Sequence, residues 1–176
     1  MIIGTLLFYL ADSRIPWTWR TCPYYNFVMT GFSLRKANRQ DAAAIRRMVR
    51  SANLNPTGLS WPRFTIAVDD TGSVIGCVQR KPHKDGSVEL ASLVVAEEWR
   101  GKGVARALIE AELKDHQGPL YLMCRAELGE FYQRFGFEAL TLDQMSPYFQ
   151  RISRLAGRFQ TWFGGGDGLL VMRREC

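Results

Sequence analysis

The stretch from Val88 to Ala105 constrains the fold of this 176-residue chain more than any other part. Its first half is apolar and rich in β-branched residues, which is typical of a buried strand. Its second half changes abruptly to a basic turn with two glycines, and a helical run from Val104 to His116 follows. The sequence therefore predicts a strand that delivers a loop onto the N-terminus of a helix.

Such a helix N-terminus is suited to bind an anion. Its first backbone N–H groups have no acceptor within the helix, and they lie at the positive end of the helix dipole. Gly101 and Gly103 carry no side chain that would keep a phosphate away, and Arg100 and Lys102 add positive charge. A Gly-x-Gly turn alone is weak support, because many such turns only connect a strand to a helix. The neighbouring motifs decide between these two interpretations.

A second motif follows about one strand later. It reads Phe131-Tyr132-Gln-Arg-Phe-Gly136-Phe137-Glu138, an aromatic pair that leads to Gly-Phe. The loop Arg100-Gly-Lys-Gly103-Val-Ala105 resembles the Arg/Gln-x-x-Gly-x-Gly/Ala loop of the GNAT superfamily of acyl-CoA-dependent N-acyltransferases, and the aromatic run resembles that family's second signature. The two motifs occur in the family's order, with a strand-like segment between them. The resemblance covers roughly residue 32 to the C-terminus.

The predicted elements give an α/β fold with a mixed sheet. Periodicity and turn residues predict a strand at 33–37, a helix at 42–51, strands at 63–68, at 73–80 and from 88, a helix at 104–114, a strand at 120–124, a helix at 127–135, a strand at 137–142, a helix at 146–163 and a last strand at 169–172. The GNAT resemblance implies a mostly antiparallel central sheet flanked by helices. Its fourth and fifth strands are expected to splay apart and admit the pantetheine arm of coenzyme A. The loop at 55–63 is expected to border the acceptor pocket.

The first 28 residues differ from the rest of the chain. Met1–Leu10 is apolar, but about ten residues cannot cross a bilayer that needs roughly 20. No Lys or Arg precedes this run, so it makes a poor signal peptide. We therefore expect an N-terminal extension of uncertain status at 1–28, no transmembrane span, and a GNAT-like N-acetyltransferase domain at 29–176.

The resemblance assigns two catalytic candidates. Glu89 lies eleven residues before Arg100, where many GNAT enzymes carry a catalytic glutamate, and it is the candidate base for the amine. Tyr132 occupies the position of a tyrosine that lies against the coenzyme sulfur, and a phenol with a pKa of about 10 can protonate a leaving thiolate. The alternatives are structural: an edge glutamate that faces water, and a tyrosine that packs with Phe131 and Phe135.

The resemblance also implies the residues that bind acetyl-CoA, the expected co-substrate. Backbone N–H groups of a bulged strand would stabilise the oxyanion, while the loop and the helix start would hold the pyrophosphate. The predicted cofactor-binding residues are Leu93, Val94, Val95, Arg100, Gly101, Lys102, Gly103, Val104 and Ala105.

Other chemistries find less support in the sequence. The four cysteines lie far apart without a Cys-x-x-Cys pair, which favours reduced thiols in the cytoplasm over a zinc site or a disulfide framework. Cys124 has no recognisable base beside it, and His83 and His116 are expected at the surface, so no metal is expected. A dinucleotide-binding fingerprint fails at Arg106, where a third glycine is needed.

The sequence thus predicts a cytoplasmic enzyme that moves an acetyl group from acetyl-CoA to a primary amine by direct attack in a ternary complex. The alternative is a non-catalytic acyl-CoA-binding sensor or interaction module. The formal charge of +6 suits an anionic ligand, but the positive residues form no long run, so nucleic acid is not expected as a partner. The acceptor, a small-molecule or peptide amine, is left open, and so is a homodimer.

Overall fold

The computed structural model describes residues 31–114, 116–158 and 168–175, which contain seven strands and four α-helices. In chain order these are β1 Phe32–Lys36, α1 Ala42–Ser51, β2 Phe64–Asp69, β3 Val74–Pro82, β4 Val88–Val95, α2 Val104–Lys114, β5 Leu120–Arg125, α3 Gly129–Gln133, β6 Glu138–Ala139, α4 Pro147–Arg158 and β7 Leu169–Arg174. The predicted order of elements is confirmed. The extension at 1–28 lies outside the described residues, and so do most of residues 164–168, whose glycines predict a turn before the last strand.

The strands form one sheet in the order β1-β2-β3-β4-β5-β7-β6. Strand β4 pairs with β5 in parallel, and the other neighbours are antiparallel. The last strand, β7, is inserted between β5 and the two-residue β6. This is the mixed, mostly antiparallel sheet that the sequence predicts.

The pairing of β4 with β5 is short. Only Val88 and Glu89 of β4 have ladder partners in β5, which are Leu120 and Tyr121, although β4 contains eight residues and β5 contains six. The carboxyl halves of the two strands therefore have no ladder between them, and they separate. The predicted splay of the fourth and fifth strands is confirmed.

Helix α1 covers one face of the sheet. Its buried residues are Ile45 and Val49, which pack in one cluster with Phe64, Ile66 and Val94. The sequence pattern predicts Ala44, Ile45 and Met48 on this face. Val49 is the position that this pattern misses: it is fully buried, whereas Met48 is only partly buried.

Helix α2 packs against the sheet through Val104, Leu108 and Glu112, which are spaced by one helical turn. A Cβ atom on Gly76 of β3 would lie 2.9 Å from Val104 Cγ1, so glycine allows the helix to approach this closely. Glu112 is fully buried, and its carboxylate pairs with Arg80 at 2.6 Å and Lys36 at 3.2 Å and accepts a hydrogen bond from the Thr65 hydroxyl. A carboxylate thus occupies a position that the helical pattern reserves for apolar residues.

Helix α4 packs on the sheet through Phe149, as predicted for its apolar face. Phe149 is fully buried and stacks on Tyr121 of β5 with a centroid distance of 5.0 Å. Leu155, expected on the same apolar face, is 52% exposed. The described helix begins at Pro147 and ends at Arg158, and the rest of the predicted helix lies outside the described residues.

Candidate functional site

A β-bulge interrupts β4 where it begins to separate from β5. Cys77 and Gln79 of β3 lie opposite Val94 and Ala91, so two residues of β4 lie opposite the one residue of β3 between them. Ser92 has a φ of 56°, an uncommon conformation for a residue other than glycine. The expected bulge is therefore present at Ser92 and Leu93, where the residues predicted to stabilise an oxyanion begin.

The basic loop that follows β4 ends at the first turn of α2. Gly101 and Gly103 have φ values of 74° and 83°, in the region that favours glycine. A Cβ atom built on either glycine meets nothing within 4 Å. Lys102 Nζ lies 4.9 Å from the centroid of the Trp99 ring, a cation–π contact that holds the lysine against the loop. The loop leaves open space next to the N-terminal amides of α2, which have no intrahelical acceptors.

A cleft of about 290 Å³ opens between the bulge, the basic loop and α3. Six of the predicted site residues line it: Leu93, Val94, Val95, Arg100, Ala105 and Tyr132. Ala52, Leu128 and Phe131 complete the lining. Phe131 could have been found from its place in the aromatic motif. No sequence signal points to Ala52, which is brought there by the packing of α1 on the sheet.

Tyr132 is the titratable phenol of this cleft. Its residue is 9% exposed, and its ring packs edge-on against Phe131 and Phe137 with centroid distances of 5.1 and 6.1 Å. Burial, with a smaller contribution from nearby Cys124, raises the pKa of Tyr132 to about 12. The hydroxyl makes no hydrogen bond to a described residue, so it is a neutral donor available to a ligand.

The Gly-Phe part of the aromatic motif has a structural role. Gly136 has a φ of 81° just after α3, and its N–H bonds the Gln133 carbonyl. Phe137 follows and is 1% exposed. This turn and anchor fix the end of the short helix that carries Tyr132.

Cys124 is the penultimate residue of β5 and lies close to Tyr132. Burial raises the pKa of the Cys124 thiol to about 11, so the thiol is protonated at neutral pH. This agrees with the expectation that Cys124 behaves as a small hydrophobe.

Glu89 does not line the cleft. It is 6% exposed near the start of β4, and its Oε2 lies 2.8 Å from His83 Nε2. Burial raises the pKa of Glu89, while the hydrogen bond and charge of His83, and then the charge of Lys81, oppose that shift. The expectation that His83 is a surface residue is wrong: its side chain is 5% exposed, because α4 covers it.

A second cavity, of about 220 Å³, lies between α1 and the chain that leads into β2. Its lining is Ala42, Ile45, Arg46, Leu59, Ser60, Trp61 and Phe64. The loop predicted to border an acceptor pocket supplies part of this lining. Trp61 is 39% exposed there.

The described residues also bear on metal binding and membrane insertion. Among residues 31–114, 116–158 and 168–175, no three His, Cys, Asp or Glu side chains are grouped to hold a metal ion. Within the same ranges, no helix has the length and apolar character needed to cross a membrane.

Comparisons with known proteins agree with this architecture. Residues 60–139 match the family model of the GNAT acetyltransferase domain. No curated protein matches the sequence significantly. Among solved structures, Rv2747 from Mycobacterium tuberculosis, in complex with CoA and NLQ, has a TM-score of 0.64 at 18% identity over 82% of this chain and 99% of that one. Ard1 from Thermoplasma volcanium has a TM-score of 0.57 at 16% identity, covering 82% and 97%.

N-acetylglutamate synthase from Neisseria gonorrhoeae, complexed with coenzyme A and N-acetyl-glutamate, is also similar. Its TM-score is 0.59 at 18% identity over 81% of this chain. The chain spans about a third of the length of that enzyme, 34%. At these identities the structures establish the fold alone. Together, the match to the family model, the splayed sheet and the two motifs confirm the predicted resemblance of this chain to the GNAT superfamily.

Proposed function

We propose that this protein transfers an acetyl group from acetyl-CoA to a primary amine by direct attack within a ternary complex. The observation that carries the proposal is that one cleft, at the separation of β4 and β5, brings several of the predicted groups together. It gathers the bulged strand, Arg100 and Ala105 beside the phosphate loop, and the Tyr132 phenol. Donors for the oxyanion and an acid for the thiolate are two of the groups that acyl transfer from a thioester to an amine requires.

The phosphate loop fits the coenzyme. The open space over Gly101 and Gly103 would allow a pyrophosphate to approach the backbone closely, and a side chain at either position would fill it. The N–H groups of the first turn of α2 would bind the phosphate oxygens, and Arg100 would add charge. The coenzyme supplies the activated acetyl group, and the chain's own residues bind and orient it.

The bulge and Tyr132 act at the reacting centre in this proposal. Backbone N–H groups of residues 93–95 would donate to the thioester oxygen as negative charge develops on it. Tyr132 would give its proton to the departing thiolate. Its raised pKa supports this role, since the phenol stays protonated throughout the neutral range.

Glu89 is proposed as the base that takes a proton from the amine. Burial raises the pKa of its carboxyl towards neutral pH, and a carboxylate with a higher pKa is a stronger base. Its place outside the cleft lining favours a second candidate function, an acyl-CoA-binding sensor that lacks turnover. We favour catalysis because Tyr132 lines the cleft and makes no hydrogen bond there.

We propose that the acceptor is a small-molecule or peptide amine and that the reaction takes place in the cytoplasm. The test is thiol release from acetyl-CoA by the full chain with L-glutamate, spermidine, tyramine, a dipeptide with a free N-terminus, or Nα-acetyl-lysine. Thiol release that depends on one of these amines, with its N-acetyl product seen by mass spectrometry, is the expected result. Binding of acetyl-CoA without product from any amine would support the sensor, and the absence of binding would refute both functions.

A further inference from the structure

His83 and Glu89 form a buried pair on the face of the sheet that α4 covers. His83 Nε2 and Glu89 Oε2 are 2.8 Å apart, and the side chains are 5% and 8% exposed. The imidazole stacks on the Tyr148 ring with a centroid distance of 3.5 Å, and Phe149 packs edge-on at 5.6 Å. The two aromatic rings therefore hold the imidazole in one orientation.

The turn that carries His83 is tied to α4 by a second contact. The Asp85 carboxylate accepts hydrogen bonds from the Ser146 hydroxyl and from the Tyr148 backbone N–H, both at 2.8 Å. The other Asp85 oxygen accepts from the Ser87 hydroxyl at 2.7 Å. Asp85 thus fastens the turn independently of the His83–Glu89 bond, so that bond is not needed to attach the turn to α4.

The bond leaves one oxygen of Glu89 available. No described residue hydrogen-bonds to Glu89 Oε1. Gln79 lies on the adjoining strand, two positions along the ladder from the residue opposite Glu89, at a typical diagonal separation of roughly 7–8 Å. Its Nε2 donates to Ser92 Oγ at 3.2 Å, while its buried Oε1 has no donor among the described residues. Two acceptors without donors thus lie on neighbouring strands between the bulge and His83, a setting suited to an amine.

Among the described residues, four other titratable groups surround this pair. Lys81 of β3 lies opposite Glu89 in the ladder and favours its ionised form. Asp85 is in the turn, Tyr148 comes from α4 and Tyr121 from β5. None of these groups hydrogen-bonds to Glu89. His83 is therefore the described residue that fixes the direction of the Glu89 carboxylate.

We propose that His83 is a positioning residue for the base Glu89, which rests on the proposed acetyl transfer. The Nε2–H group of His83 occupies Oε2 and favours the carboxylate form despite its burial. Oε1 is then the atom that takes the proton. As the amine nitrogen bonds to the acetyl carbon, its N–H bond breaks and the proton passes to Oε1. The C–S bond then breaks, its electron pair leaves with the sulfur, and the Tyr132 proton converts the departing thiolate into the thiol.

The test is the pH dependence of kcat/KM for the full chain, measured as thiol release with the best amine of the panel. His83→Phe keeps a ring against Tyr148 but removes the donor, so Glu89 is harder to ionise. The acidic limb of the profile should move up by about one pH unit, which lowers kcat/KM about tenfold below the limb. At high pH the variant should approach the parent. His83→Gln, which retains a donor, should keep the limb close to its original place.

Asp85→Asn is the matched control, because it weakens the attachment of the same turn to α4 without touching Glu89, and it should leave the limb unmoved. An acidic limb that is identical in parent and His83→Phe, but lost in Glu89→Gln, would overturn the positioning role and leave the proposed function standing. A limb that persists in Glu89→Gln would overturn it as well, since Glu89 would not be the base. Thiol release with none of the amines would instead refute the proposed function. If His83→Phe fails to fold, His83→Leu serves as the donor-free variant under the same criteria.

Discussion

Replacing Tyr132 with phenylalanine separates its proposed chemistry from its packing. Tyr132→Phe keeps the ring that packs edge-on against Phe131 and Phe137, and it removes only the hydroxyl. If the phenol protonates the thiolate, kcat should fall about 100-fold, an increase of roughly 2.7 kcal/mol in the activation barrier. Coenzyme affinity should change little, because the predicted phosphate contacts come from the loop before α2, whereas Tyr132 is on α3.

The structure also predicts the pH dependence of this loss. The pKa of Tyr132 is raised to about 12, so the phenol remains protonated at every pH from 6 to 9. The ratio of parent to variant kcat should therefore be constant over that range. Stability should not fall, since no described residue hydrogen-bonds to the hydroxyl and its removal leaves no protein group unpaired.

The assay is single-turnover thiol release at saturating amine, so that product release does not mask the chemical step. Tyr121→Phe is the matched control: it makes the same chemical change on β5, in a ring that packs against Phe149, and it should leave kcat unchanged. A Tyr132→Phe enzyme with the parent's single-turnover rate across pH 6–9 would refute the acid role. Equal losses in both variants would point to packing instead.

Three further predictions concern the coenzyme site, the core and the domain boundary. Gly103→Ala should weaken acetyl-CoA binding at least tenfold by calorimetry. Gly72→Ala, with a similar φ and equally open space, should show the same backbone strain of about 1–2 kcal/mol without the loss of binding. If Gly103→Ala bound acetyl-CoA as tightly as the parent, the phosphate role would be refuted. Glu112→Ala should lower the free energy of unfolding in urea by about 3 kcal/mol, because it removes a fully buried carboxylate with its ion pairs to Arg80 and Lys36 and its hydrogen bond from Thr65. An effect no larger than that of exposed Glu110→Ala would contradict this. A chain that starts at Met29 should fold and bind acetyl-CoA like the full chain, and loss of soluble protein on truncation would place residues 1–28 in the core.

The elements that the sequence predicts well are those set by local pattern. Helix α1 has the predicted bounds, 42–51, and the Asp69–Gly72 turn closes with a hydrogen bond from Gly72 N–H to the Asp69 carbonyl at 2.9 Å. The turn at 100–103 is equally local, because its two glycines and the helix start that follows predict its conformation, whereas its role in binding phosphate stays a prediction that rests on the neighbouring motifs. Predicting Tyr132 required the family resemblance, since nothing in its immediate sequence distinguishes a proton donor from a packing ring.

The residues that the sequence does not predict depend on contacts between distant segments. Glu112 reads as a polar residue on a helix, and its burial depends on Lys36 and Arg80, which lie far away in the sequence. His83 lies in a turn that reads as exposed, and only the packing of α4 buries it. In both cases the burial of a polar side chain depends on an element that is distant in the sequence, a condition that periodicity cannot detect.

The sheet separates the two proposed catalytic groups. Tyr121, the ladder partner of Glu89, stacks on Phe149, so this position faces α4. Side chains alternate along a strand, so Cys124, three residues later, faces the opposite side, and Tyr132 lies close to it. Acid and base thus stand on opposite faces, and the gap between the separating strands joins them. In the proposed reaction the coenzyme would reach this gap from the Tyr132 side and the amine from the Glu89 side. The thiolate would then receive its proton from Tyr132, while Glu89 keeps the proton of the amine. The thiol could therefore leave without any proton transfer from one face of the sheet to the other.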